Sequence, residues 1–384
     1  MIKLIVKVVS FLKKLFLGKI HGMEENKNLP SDIDINGPNI IKDDMEATTG
    51  AINDEPSNNI SEESAVSTPS ETIIIEDTPT LSDSVSKNDR NEIDKVFLST
   101  LQIYDHGYVI GASIRGRSHE LHDTPCQDYH VCEKIMEGWY ILAVSDGAGS
   151  AKYASRGSKA NSTFSARLVK QMLMEKRWIE NDYFPTELEW YVEARAIFER
   201  IKLIIRTKVS ELEDECVETD FNATLLIAVI TPKGVLTAHI GDGRMGYLSV
   251  DNEWKAAMKP HKGEEANQTL FLQSGWTTPT VPAFNVGGIY VPETSIIHGI
   301  PKAVVLMSDG CERASWECSI MDAAIGKYVD KNIPHKGFMD PLIEALGSCG
   351  NGDKIQLFVD ILDHGTTACE RELDDKTMLL AVFK

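Results

Sequence analysis

Six short apolar runs, rich in β-branched and other strand-forming residues, most constrain what this chain can become. YVIGASI (108–114), YILAVSD (140–146), TLLIAVI (224–230), VLTAHIGD (235–242), AVVLMSD (303–309) and MLLAVF (378–383) have the length and composition of buried strands. Between them, residues 156–176 and 187–213 repeat apolar positions at helical spacing. In the second segment Tyr191, Ile197, Phe198, Ile201, Ile204 and Ile205 mark one buried face. Further helices are expected over 316–331, 338–347 and 353–363. Residues 98–384 therefore read as one unit of mixed helix and strand, long enough to bury a sizeable core.

Two unlike segments precede it. Residues 1–21 carry five lysines and no acid. At helical angles Lys3, Lys7, Ser10 and Lys14 share one side, while Leu4, Val8, Phe11, Leu12 and Leu15 share the other. This predicts a basic amphipathic helix suited to peripheral contact with an anionic membrane surface. Lys13 and Lys14 interrupt the apolar stretch, which argues against a secretory signal. Residues 22–95 hold 18 acids against 5 bases and no aromatic residue. Such a composition cannot offset its ordering entropy, so 22–97 is expected to be an acidic, disordered linker.

The net charge of −19 excludes a general affinity for nucleic acid, where a basic face is the footprint. No run reaches the roughly 18 apolar residues that a membrane-spanning helix needs. Seven cysteines, Cys126, Cys132, Cys216, Cys311, Cys318, Cys349 and Cys369, contain no C-x-x-C pair. An odd count without paired spacing suits a reducing cytoplasm better than a disulfide framework or a zinc site. The expected location is cytoplasmic, with membrane association through the N-terminal helix.

The chemistry is suggested by where the carboxylates fall. Asp146 closes one apolar run ahead of Gly147-Ala148-Gly149, and Asp309 closes another ahead of Gly310. Asp242 sits between Gly241 and Gly243 after a third, and Asp374 and Asp375 directly precede the last. One strand-end Asp-Gly is an ordinary turn. Four such places are harder to assign to turns alone, because acids at strand ends can meet at one edge of a packed pair of sheets. There they repel unless a cation neutralises them or their pKa values rise. Oxygen ligands without a His or Cys cluster select hard ions such as magnesium or manganese.

In order along the chain, CQD (126–128), AVSDGAGSA (143–151), NATLL (222–226), HIGDGR (239–244), VLMSDG (305–310) and DDKTMLLAV (374–382) resemble the motifs of the PPM-type, or type 2C, metal-dependent protein serine/threonine phosphatases. The resemblance spans about residues 108–384 and leans toward a bacterial subgroup in which Ser-His, here Ser118-His119, precedes Cys-Gln-Asp. It implies an α+β fold, a four-layer α-β-β-α sandwich of two antiparallel sheets flanked by helices. It also implies a phosphoprotein substrate hydrolysed at phosphoserine or phosphothreonine by a hydroxide bridging two Mn2+ or Mg2+ ions, with a third ion in bacterial members. A cognate serine/threonine kinase is the partner that follows.

Carried onto this chain, Asp146 matches the family's bridging aspartate and the Gly147 carbonyl its neighbouring ligand. Asp309 and Asp374 match the other carboxylates on the first ion. Asp242 matches the acid of the third ion, shared with Asp309, and Asp128 matches an acid acting on the second ion largely through water. Three positions depart from the commoner pattern. Gln127 replaces a glutamate, Ala148 stands where many eukaryotic members carry a proton-donating histidine, and His119 falls where a phosphate-holding arginine is expected. The catalytic set is then Asp146, Asp309, Asp374 and His119, with His119, Arg115 and Arg117 as phosphate-binding groups. His122 and Arg244 are further basic candidates.

The same departures support a rival reading, a catalytically impaired pseudophosphatase that binds phosphoproteins or regulates them. Retention of Asp146, Asp309 and Asp374 favours the enzyme. GDGRMG (241–246) also fits a dinucleotide-binding pattern, but MGYLSV continues as strand where that fingerprint requires a helix.

Overall fold

A computed structural model describes residues 95–212, 215–261, 269–274 and 292–384. The expected helix at 1–21 and nearly all of the acidic linker at 22–97 lie outside the described residues.

The described residues form thirteen strands: β1 (Val96–Tyr104), β2 (Gly107–Ile114), β3 (Asp128–Met136), β4 (Trp139–Asp146), β5 (Leu225–Thr231), β6 (Gly234–Ile240), β7 (Arg244–Leu248), β8 (Trp254–Ala256), β9 (Glu293–His298), β10 (Ala303–Met307), β11 (Ile320–Asp322), β12 (Lys327–Val329) and β13 (Lys376–Phe383). Six form one sheet in the order β1-β2-β13-β10-β7-β8, and five form a second in the order β3-β4-β5-β6-β9. Every pairing in both sheets is antiparallel.

Side chains alternate across a strand, and here both faces are buried. In β4, Trp139 and Ile141 point to the helices, while Tyr140, Leu142 and Val144 point to the opposite sheet. β10 repeats the pattern, with Ala303, Val305 and Met307 toward the helices and Val304 and Leu306 between the sheets. Burial on both faces explains why these strands read as unbroken apolar runs, which antiparallel strands with one wet face do not.

The helices are α1 (Arg117–Leu121), α2 (Ala154–Glu175), α3 (Glu187–Ser210), α4 (Glu312–Ser315), α5 (Lys336–Ser348), α6 (Lys354–His364) and α7 (Thr367–Arg371). The long α2 and α3 cover the five-stranded sheet through Phe164, Leu173, Trp190, Phe198 and Ile201. On the six-stranded sheet, α5 and α6 do the same through Phe338, Leu342, Phe358 and Leu362. Helix α3 starts at a capping box, in which the Thr186 and Glu189 side chains each accept the other's backbone N–H. The result is the expected four-layer α-β-β-α sandwich. No helix among the described residues is long and apolar enough to cross a membrane.

One element differs from expectation. The helix anticipated over 316–331 is a hairpin, β11 paired with β12. Met321 and Ile325 imitate a helical repeat, but Asp322 Oδ1 accepts the Ala324 N–H at 2.9 Å and Gly326 takes φ +63°. An Asx turn followed by a left-handed glycine closes a hairpin and stops a helix.

Candidate metal centre

Topology brings the acids to one end of the sandwich. Asp128 opens β3 and Asp146 closes β4, and the two are register partners. In the other sheet, β10 and β13 are antiparallel neighbours with Met307 opposite Met378. Asp309, just after β10, therefore lies beside Asp374 and Asp375, just before β13. The turn 241–243 carries the chain from one sheet to the other and holds Asp242 between them. Carboxylate oxygens of Asp146, Asp242 and Asp309 all lie within 4.8 Å of one another. Two glycines make this approach feasible. Gly241 has φ +115°, and a Cβ on Gly310 would stand 2.0 Å from the Asp375 carbonyl oxygen.

Convergence has an electrostatic cost. Burial, then the charges of Asp242 and Asp374, push Asp309 up to about 7. Burial, then Asp128, Asp309 and Asp374, raise Asp146 well above the usual carboxylate range. Asp128 is 1% exposed and is likewise raised by burial and by Asp375, against hydrogen bonds from Ser308 and Thr377. Ser308 Oγ donates to Asp128 Oδ2 at 2.6 Å, and Thr269 Oγ1 donates to Asp242 Oδ2. Asp309 Oδ1 is buried with no hydrogen-bond partner among the described residues. An all-oxygen donor set, mutual repulsion and one orphaned buried oxygen fit a hard divalent cation. The Gly147 N–H donates to the Gln127 carbonyl at 3.1 Å, and a Cβ there would meet the Ala154 carbonyl oxygen at 2.6 Å.

Adjacent acids take different surroundings. Asp374 is exposed and groups with His119 and Asp375. Asp375 is 2% exposed, and it accepts the Gly116 N–H at 2.6 Å, the Gln127 N–H at 2.5 Å and the His119 Nδ1–H at 2.9 Å. That last bond is the main reason His119 is raised above the ordinary histidine range. It also fixes the ring and leaves Nε2 as its second functional nitrogen.

The basic candidates separate clearly. Arg115 is not presented as a phosphate fork, contrary to expectation. It is buried, its Nε donates to the Thr124 carbonyl at 2.6 Å and its Nη2 to the His119 carbonyl at 2.9 Å, so it clamps the loop around His119. Arg117 is exposed on α1. His122 is also exposed, with Nδ1 on the Ser118 carbonyl at 2.7 Å. Arg244 is fully buried and bonds Glu312, Asp330 and Asn332 at 2.8, 2.7 and 2.9 Å, which makes it a tie between β7 and the chain on either side of the hairpin.

A second cluster, His239, His261 and Glu293, has metal-ligand composition, but its own bonds close it. His239 Nε2 donates to the Lys259 carbonyl at 2.9 Å, His261 Nε2 faces Glu293 Oε2 at 3.3 Å, and the Gly241 N–H donates to His261 Nδ1 at 3.4 Å. All seven cysteines are unpaired, and burial raises the thiols of Cys126, Cys311 and Cys369, which suits inert core residues. Sequence reasoning noted Asp375 only as one of the strand-end acids and missed Ser308 and Thr377. The only available signal was their place inside the SDG and DDKT strings.

The family model for protein phosphatase 2C matches residues 115–360, and the chain belongs to that family. It is by that membership a metal-dependent serine/threonine protein phosphatase acting on phosphoproteins. Among individual proteins, serine/threonine-protein phosphatase 3 of Escherichia coli strain K12 is 24% identical over 285 residues, 72% of this chain and 98% of the relative. RsbX, solved in complex with magnesium, aligns over 75% of this chain and 100% of its own at 15% identity and TM-score 0.42. The serine/threonine phosphatase Stp1 from Staphylococcus aureus aligns over 75% and 98% at 14% identity and TM-score 0.43.

Proposed function

We propose that this chain hydrolyses phosphoserine and phosphothreonine in proteins at the cluster formed by Asp146, Asp242 and Asp309, with Asp128, Asp374 and the Gly147 carbonyl completing the sites of two Mg2+ or Mn2+ ions and a third. The observation that carries this reading is the convergence of three carboxylates from separate strand ends around the unpartnered Asp309 Oδ1. When bound, such ions supply a deprotonated water at neutral pH and neutralise charge growing on the phosphoryl oxygens.

The protein's own groups do the rest. His119, held through Nδ1 by Asp375, offers Nε2 to the substrate, as a proton donor to the departing serine or threonine oxygen and a single donor to phosphate. Arg115 positions the His119 loop through two main-chain carbonyls. Arg117 is the exposed cation nearest to that loop in sequence and the remaining guanidinium for phosphate. A serine/threonine kinase that makes the substrate, and contact of residues 1–21 with an anionic membrane, belong to the same reading and rest on sequence.

The test is manganese-dependent turnover of a phosphothreonine peptide by the wild type and by Asp146→Asn. The expected loss is roughly 10³-fold. Equal turnover in both proteins overturns the metal-centre reading. A wild type that binds phosphopeptide but does not turn it over at saturating manganese establishes the pseudophosphatase instead.

A further inference from the structure

Asp146 stands where two strands stop pairing in the ordinary way. The β4–β5 ladder ends at Val144 opposite Leu226, and the same register carried on sets Asp146 against Thr224 and Gly147 against Ala223, its bridge partner. Residues that face each other as a hydrogen-bonded antiparallel pair exchange two N–H···O=C bonds. Here only one of the two is made. The Thr224 N–H donates to the Asp146 carbonyl at 2.8 Å, but the Asp146 N–H donates to Thr224 Oγ1 at 2.9 Å in place of the Thr224 carbonyl.

The displaced carbonyl has other partners. Asn161 Nδ2, on α2, donates to it at 3.2 Å and to the Ala223 carbonyl at 3.2 Å, and Ser145 Oγ donates to the Thr224 carbonyl as well. Gln273 fixes which way the Asn161 amide faces. Its Nε2 donates to Asn161 Oδ1 at 2.8 Å and its Oε1 accepts the Ala223 N–H at 3.1 Å, so turning either amide over would set like groups against each other. Asn161, Thr224 and Gln273 are all at most 4% exposed. The rest of the Thr224 side chain faces the turn 241–243. A Cβ on Gly241 would stand 2.5 Å from both Thr224 Cβ and Cγ2, so this threonine fills the space that Gly241 leaves beside Asp242.

We propose that Thr224, in the NATLL string, is a positioning residue for the metal centre, its hydroxyl holding the Asp146 N–H out of the regular ladder and so setting where the Asp146 carboxylate and the Gly147 carbonyl stand. The proposal rests on both groups serving the cations, as argued above. Thr224 acts through the main chain of Asp146 and touches neither substrate nor ion in that role. Without the hydroxyl, the acceptor that the register offers the Asp146 N–H is the Thr224 carbonyl. Movement toward it carries the carboxylate and the adjoining Gly147 carbonyl along with the main chain.

Two substitutions divide the side chain between them. Thr224→Val keeps the shape against Gly241 and loses the acceptor, whereas Thr224→Ser keeps the acceptor and loses the methyl. Positioning and packing therefore predict opposite orders. Manganese binding to the full chain, followed by calorimetry without substrate, is expected to weaken about tenfold in Thr224→Val, the scale of losing a group that orients a ligand, and to stay within about threefold of wild type in Thr224→Ser. Thermal unfolding establishes that each variant is folded. Where Thr224→Val is not, Thr224→Ala and Thr224→Ser decide the matter, since both lack the methyl and they differ in the hydroxyl alone; Thr224→Ala is then expected to bind about tenfold more weakly than Thr224→Ser. Equal isotherms for Thr224→Val and Thr224→Ser, or weaker binding by Thr224→Ser, would overturn the proposal and leave the metal-centre reading in place. A wild type that binds no manganese overturns that reading first, and this proposal with it.

Discussion

Neutralising Asp309 should stabilise the metal-free protein while destroying its activity. In the folded state, burial and the charges of Asp242 and Asp374 move this carboxyl from its ordinary 3.8 to about 7. A raised acid binds its proton more tightly folded than unfolded, so its contribution is present in full below about pH 4 and is lost as pH climbs to about 7. Above that pH the folded chain carries a charge it disfavours by about 4 kcal/mol, from about three pKa units at 1.36 kcal/mol each. Asp309→Asn removes the charge. The amide inherits a site where Oδ1 already lacks a partner, so the cost of an unpaired polar atom is nearly common to both proteins.

The assay is urea and thermal unfolding of EDTA-treated wild type and Asp309→Asn at about pH 5 and about pH 8. The variant should gain about 4 kcal/mol at the higher pH, on the order of 5–10 °C in Tm, and less than half of that at the lower. His130 and His239 act in the opposite sense. Burial lowers both to about 3, so they withdraw stability as pH falls below about 6.5. They are common to both proteins and drop out of the difference. Saturating manganese should reverse the order, stabilising the wild type over the variant by mass action. An Asp309→Asn protein no more stable than wild type at about pH 8 without metal, or a difference that does not shrink at about pH 5, refutes the repulsion argument.

Arg244→Met should cost about 3 kcal/mol in urea unfolding, because it strands the partly buried Glu312 and Asp330 that the guanidinium neutralises; a change under about 0.5 kcal/mol would show that tie to be dispensable. His119→Gln should lower turnover of a phosphothreonine peptide about 10²-fold but that of an activated aryl phosphate far less, since a phenolate departs without a donated proton. Equal losses on the two substrates would remove His119 from proton transfer and leave it a structural or phosphate-orienting role.

The strands carrying the site were legible because burial on both faces leaves a continuous apolar run, and because Asp146, Asp242 and Asp309 stand beside glycines at the ends of such runs. What escaped the sequence depends on distant backbone. Arg115 looks like a phosphate ligand until the fold sets the Thr124 and His119 carbonyls against its guanidinium. Arg244 follows a Gly-Asp-Gly turn, and only the folded chain reveals partners 68 and 86 residues away. The 320–329 hairpin escaped because Met321 and Ile325 repeat at a helical interval, and a single Asx turn outweighs that pattern.

The Asp374-Asp375 pair shows why carboxylates alone do not define such a centre. The side chains are chemically identical and adjacent, so composition gives them equal claim to a cation, and only the family resemblance singles out Asp374. Their difference is made by donors. Two backbone N–H groups, from Gly116 and Gln127, and the His119 ring converge on Asp375 and occupy its oxygens. Asp374 accepts the Asp375 N–H, and no other donor was found on its carboxylate among the described residues. The hydrogen-bonded acid thereby fastens the β2–β3 connection and orients the histidine, while its neighbour carries fewer donors. A fold that places N–H donors beside one acid and withholds them from the next converts a run of like charges into distinct roles.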